Sequence, residues 1–180
     1  MSKEIIDVID TAVKIGLGAL ITGIATYLIS KLNSRKDKEK FILEHKIKTI
    51  EIASDKLETY FNAISSLYST IGGKIRGQNI ENIYELDDSE QKKILDKDKE
   101  LQSAWFDRNY AISRFHLLKA KEVVKAIEEI QKFETELRNI FILNSEMISS
   151  NELQNKSKEY THLKTVYYEK ASTYYGELNI

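Results

Sequence analysis

From Ile15 to Ser30 the chain runs sixteen residues, IGLGALITGIATYLIS, without a charge, the longest such run in its 180 residues. A helix of this composition is apolar on every face and needs a cover of lipid or protein. At ~1.5 Å per residue the run spans about 24 Å, short of the ~30 Å hydrocarbon core of a bilayer. Lys14 and Lys31 close the gap by laying their aliphatic stems along the helix, and Thr11, Ala12 and Val13 add most of a turn. The sequence therefore predicts a short tail over 1–9, a transmembrane anchor over 10–32 and a helical domain over 33–180.

Three other readings compete with the anchor. A cleaved signal peptide opens on basic residues, but here Lys3 faces Glu4, Asp7 and Asp10, and Tyr27 to Lys31 is not a small-residue cleavage site. A buried core helix needs neighbours on all sides. An interfacial helix could use the polar stripe Asp7, Asp10, Thr11, Lys14, Gly18 and Thr22, but that stripe fades where the apolar run peaks.

Orientation follows from the flanking cations. Lys3 and Lys14 precede the span, whereas Lys31, Arg35, Lys36, Lys38 and Lys40 follow it. The excess of Lys and Arg on the C-terminal side predicts an outer N-terminus and a cytoplasmic domain at the cell membrane. The same five residues form a basic flank suited to anionic headgroups, making the lipid bilayer the first expected partner.

Beyond the anchor the pattern is helical throughout. Leu43, Ile50, Leu57, Ile64 and Ile71 recur at seven, with Ile47, Ser54, Phe61 and Tyr68 between them, which predicts a helix over about 37–71. No breaker separates it from the anchor, so the two can form one rod, and Gly72 and Gly73 are expected to end it. The segment Lys74 to Asp87 is the irregular part. A second helix is predicted over about 88–118, with Leu101, Trp105, Ile112, Phe115 and Leu118 on its apolar face, and a tight turn at 118–122 leads to a third over about 122–146. A Ser- and Asn-rich link then precedes a fourth over about 151–178. The absence of proline leaves all four helices uninterrupted. The expected fold class is all-α, a single N-terminal transmembrane helix followed by an up-down antiparallel bundle of about four long helices.

Chemistry is sparse. The chain has no cysteine, and its three histidines, His45, His116 and His162, fall on three different predicted helices without metal-ligand spacing. No cofactor, small-molecule ligand or catalytic residue is expected. Lys plus Arg total 27 against 28 Asp plus Glu, a balance that disfavours a nucleic-acid partner. Five of the ten tyrosines, Tyr160, Tyr167, Tyr168, Tyr174 and Tyr175, lie in the last helix. They read either as bundle-edge residues or as an aromatic surface for a protein partner.

Arg108-Asn109 followed by His116 resembles the Arg-polar-x4-His signature of HEPN nucleases, although six residues rather than four separate Asn109 from His116. The resemblance implies a helical-bundle ribonuclease in which Arg108 and His116 act on an RNA phosphodiester. The departure in spacing puts that role in doubt.

The anchor carries a further pattern. Ala12, Gly16, Ala19, Gly23, Thr26 and Ser30 recur at alternating four and three, a continuous small-residue seam that lets membrane helices approach closely. The leading expectation is a non-enzymatic, membrane-anchored helical module that binds a protein partner or its own copies through this seam. A pore-forming effector lined by Asp7, Asp10, Thr11 and Lys14 is the alternative.

Overall fold

The computed structural model describes the backbone of residues 2–75 and 82–178, and the side chains of 23, 26–74 and 82–178. The chain is all-α. Four helices, α1 (Ser2–Ile75), α2 (Asp88–Leu117), α3 (Lys121–Arg138) and α4 (Ser150–Glu177), are joined through a 3-10 turn at Ile83–Glu85 and a π-helical turn at Asn139–Leu143. Among the described residues there is no strand, and the isolated bridge between Asn82 and Glu146 joins two loops.

The chain divides into two compact units, Met1–His45 and Lys46–Ile180. The first holds the anchor region. Its backbone is helical from Ser2 onward, but most side chains of the expected span 10–32 lie outside the described residues, among them Ala12, Gly16 and Ala19 of the seam. Among the described residues no helix is long and apolar enough to cross a membrane. The transmembrane part of the expected fold therefore has no structural support here.

The second unit is the bundle, and its pairing follows from contacts between helices. Lys56 Nζ lies 2.9 Å from Asp107 Oδ1, and Lys74 pairs with Glu90 further down, so α1 and α2 run antiparallel. The Tyr160 hydroxyl donates to the Phe61 carbonyl and that of Tyr168 to Glu58, placing α4 antiparallel to α1. Arg138 reaches Asp98 while Arg108 reaches Glu134, which sets α3 against α2. Apolar seams meet in the middle: Ile50, Leu57, Phe61, Ile64 and Ile71 of α1 are buried, as are Leu101, Phe115, Ile127, Ile130, Leu137, Leu153 and Tyr167.

Local chemistry sets the helix ends. The Asp87 carboxylate accepts from the Glu90 amide at 2.8 Å to start α2. Ser149 and Glu152 form a reciprocal capping box on α4. Between α2 and α3 the Ala120 amide bonds to the Phe115 carbonyl and that of Lys119 to His116, with Lys119 at φ 61°. This is the turn expected at 118–122, closed as a Schellman motif around a left-handed lysine.

The structure differs from the sequence expectation at two boundaries. α1 runs past Gly72 and Gly73 to Ile75. A Cβ on Gly72 would stand 3.1 Å from Leu153 Cδ2, so this glycine serves close approach of α4 rather than helix termination. The third helix was expected to reach 146, but its α-helical part ends at Arg138, and the chain widens into the π-turn before Ser145 takes φ 59°. Helices expected over 88–118 and 151–178 match α2 and α4 to within a residue at each end.

Candidate functional site

The most concentrated polar chemistry of the bundle is buried. On α2 the seam positions Ile94, Asp98, Leu101, Trp105, Arg108, Ile112 and Phe115 follow the four-three spacing of a packed helix, and two of them are charged. Facing them on α3, Glu134 takes the same kind of position between Ile130 and Leu137. Asp98, Arg108 and Glu134 are only 4%, 7% and 2% exposed.

Glu134 is the hub. Its Oε2 accepts from the Tyr60 hydroxyl of α1 at 3.2 Å and from Arg108 Nη1 at 3.3 Å, while Oε1 accepts from Trp105 Nε1 at 3.3 Å. Arg108 turns its remaining edge to Asn109 Oδ1, at 3.2 Å from Nε and 3.1 Å from Nη2. Its guanidinium carbon also lies 5.3 Å from the centre of the Tyr60 ring. Next to this cluster Arg138 grips Asp98 with both Nε and Nη2, at 2.6 and 3.0 Å, and Gln102 donates to the same carboxylate at 2.6 Å. The Trp105 ring is covered by Arg138 at 4.9 Å.

Burial holds the Glu134 carboxyl above the ordinary carboxylate range, against the opposing pull of Arg108 and of the Tyr60 hydroxyl. The Tyr60 hydroxyl is itself pushed far above the ordinary tyrosine value, first by burial and then by the Glu134 charge. The bidentate bond to Asp98 raises Arg138 further. Two acids and two arginines thus balance in charge, and among the described residues every buried side-chain polar atom has a hydrogen-bond partner. Such a saturated cluster orients three helices and offers no open position to a substrate.

The residues of the HEPN-like pattern are placed apart in environment. Arg108 is buried in this network, whereas His116 is exposed near the end of α2. His45, His116 and His162 sit on α1, α2 and α4, and among the described residues no group of three His, Cys, Asp or Glu is placed to hold a metal ion.

The five tyrosines of α4 divide. Tyr160 and Tyr167 are buried against α1: the Tyr160 hydroxyl donates to the Phe61 carbonyl at 2.8 Å, and the Tyr167 ring meets Phe61 edge-on at 5.2 Å. Tyr160 also stacks on Phe133 of α3 at 5.3 Å. Tyr174 is half-buried and donates to the Leu118 carbonyl at 2.5 Å. Only Tyr168, bonded to Glu58, and Tyr175 are exposed. An aromatic partner surface on this helix therefore reduces to two rings.

The basic flank is exposed at all five positions, Lys31, Arg35, Lys36, Lys38 and Lys40, with Arg35 bonded to Glu39 at 3.0 Å. Gly23, Thr26 and Ser30 of the seam are exposed as well. Apolar residues alone do not reveal the network of Asp98, Arg108 and Glu134. Its signal was the unbroken four-three spacing into which those charges fall.

No family model, no curated protein and no solved structure matches this chain.

Proposed function

We propose that this chain is a single-pass membrane protein without catalytic activity, whose cytoplasmic four-helix bundle is held at the inner membrane face and assembles with a protein partner or with its own copies. The observation that carries the reading is the collar at the C-terminal end of the uncharged run. Tyr27, Leu28, Ile29 and Leu32 are 64%, 51%, 59% and 59% exposed. At ~100° per residue these four side chains spread over an arc of about 200° of the helix, so a bilayer covers them more completely than one packed neighbour could. The exposed basic flank that follows suits the anionic cytoplasmic leaflet.

The seam supplies the assembly surface. A Cβ added at Gly23 meets nothing within 4 Å, so Gly23→Leu adds bulk without disturbing the fold of one chain. Gly16→Leu with Gly23→Leu is expected to abolish self-association in a membrane two-hybrid assay, and unchanged association would remove the seam from the proposal. The anchor itself is tested by alkaline carbonate extraction. Wild type is expected in the membrane pellet and Leu20→Lys with Ile21→Lys in the supernatant; a wild-type chain that is washed off would overturn the tether.

A further inference from the structure

The outer face of the α1–α2 pair carries both a hole and a knob. The hole is a cleft of about 440 Å³ between the two helices, lined by Asn62, Ala63 and Ser66 of α1 and by Ser103 and Ala104 of α2. Asn62 and Ser103 stand exposed at its rim, and Ala104, 5% exposed, lies at its floor. The hydroxyls of Ser103 and of Thr59, which also faces the cleft, donate to the Lys99 and Asp55 carbonyls at 3.0 and 3.3 Å. An apolar ring that covers them therefore strands neither donor. The two carboxylates of the cleft, Glu100 and Asp107, are paired with Lys97 at 2.7 Å and Lys56 at 2.9 Å, so the cleft suits an uncharged insert. The knob is Phe106, 82% exposed. At ~100° per residue its side chain leaves α2 roughly 60° round from that of Ser103 and 100° from that of Asp107, which sets it on the edge beside the cleft.

We infer that this face pairs with the same face of a second copy, Phe106 of each chain entering the α1–α2 cleft of the other. Self-complementarity selects the partner: knob and hole lie side by side on one surface, so a single two-fold axis brings both into register, as in an isologous dimer. The α2 residues of the cleft run from Glu100 to Asp107 and bracket Phe106, so knob and hole are displaced across the helix more than along it. The two-fold axis then runs broadly along the helices, and the two bundles pair in parallel. The inference rests on the self-assembly proposed above and gives it a contact in the bundle that is separate from the anchor seam. Holding both chains on one membrane raises their effective concentration, so two aromatic insertions suffice.

The chain has no cysteine, so an introduced thiol reports one position. Two differently tagged full-length chains, one Phe106→Cys and the other Asn62→Cys, are co-expressed and treated in intact cells with a short, permeant bismaleimide. The Asn62→Cys chain keeps its own Phe106, so one of the two equivalent insertions stays whole. Leu143→Cys, outside this face and 68% exposed, replaces Asn62→Cys as the control for chance collision. We expect a mixed dimer joined at 106 and 62, well above the control. Adding Ser103→Trp to the Phe106→Cys chain fills its cleft, and the band is then lost. Ser103 is exposed, so a tryptophan there leaves the core of its own chain in place.

Absence of the 106–62 band while the two tagged chains still co-purify overturns the bundle contact and leaves self-assembly through the seam standing. Absence of both the band and co-purification overturns both. A band that survives Ser103→Trp, or one no stronger than the Leu143→Cys control, overturns the insertion of Phe106 into the cleft. A dimer between two Phe106→Cys chains that exceeds the mixed one assigns the contact to α2 on α2 and overturns it as well.

Discussion

Glu134 shows how much one side chain decides in this bundle. Its carboxylate takes hydrogen bonds from three residues on two helices, and Arg108 is its nearer counter-charge, with Arg138 Nε 3.9 Å from the other oxygen. Removing one partner of a buried ion pair leaves the other charge uncompensated, at a cost of about 3–5 kcal/mol. Arg108→Met is expected to destabilise by about 3 kcal/mol in chemical denaturation, the low end of that range, because Arg138 stays near the Glu134 carboxylate. Arg108→Met with Glu134→Gln removes both charges and keeps an acceptor for Tyr60 and Trp105, so most of the loss is recovered. If the double variant is no more stable than Arg108→Met, the pair is not coupled as described. Lys119 is a smaller case. Its left-handed backbone at φ 61° disfavours any side chain, so Lys119→Gly is expected to raise stability by about 1 kcal/mol, read as a higher denaturation midpoint. A lower midpoint would mean that the lysine side chain, and not the turn, holds this corner.

Among the helices, α4 ties its tyrosines to the rest of the bundle through hydroxyls. Burial raises the ionisation of Tyr160 and Tyr167 above the ordinary tyrosine value, and Tyr60 on α1 behaves alike. In the unfolded chain these hydroxyls ionise near pH ~10. Their contribution is therefore complete below that pH and is lost as pH rises through and beyond it, because the unfolded state releases its protons first. Each such tyrosine adds a slope of about 1.4 kcal/mol per pH unit. Tyr160→Phe is expected to flatten the decline above pH ~10 by one such increment, measured by denaturation in detergent at successive pH values; an unchanged slope would mean that Tyr160 ionises freely in the fold.

The helices were legible in the sequence where apolar spacing alone defines them, as in Ile50, Leu57, Ile64 and Ile71. The inner row Ala53, Tyr60 and Leu67 was not, because α1 packs on α2 and α4 together and buries a wider stripe than one heptad seam. The ion network escaped because Asp98, Arg108 and Glu134 pair only once α2 and α3 are folded together, a contact that no local pattern contains. Gly72 looked like a stop for a similar reason: the side chain that occupies its missing Cβ belongs to Leu153. Nothing in Asn139 to Leu143 marks a π-turn by propensity; the backbone widens there before the loop that bonds Ser145 to Ile83.

As a whole the molecule joins two kinds of surface. Among the described residues the bundle has a closed polar network and side-chain caps on α2 and α4, while the collar at Tyr27, Leu28, Ile29 and Leu32 is apolar and open. That contrast is the basis for assigning the interaction with a membrane to the N-terminal region and rigidity to the bundle. The most direct measurement of this assignment is topological. Ser2→Cys and Ser150→Cys, made singly in the cysteine-free chain, are exposed to a membrane-impermeant maleimide on intact cells and again after lysis. Position 2 is expected to label on intact cells and position 150 only after lysis. Labelling of both positions on intact cells, or of neither, would contradict a single span with an outer N-terminus and a cytoplasmic bundle.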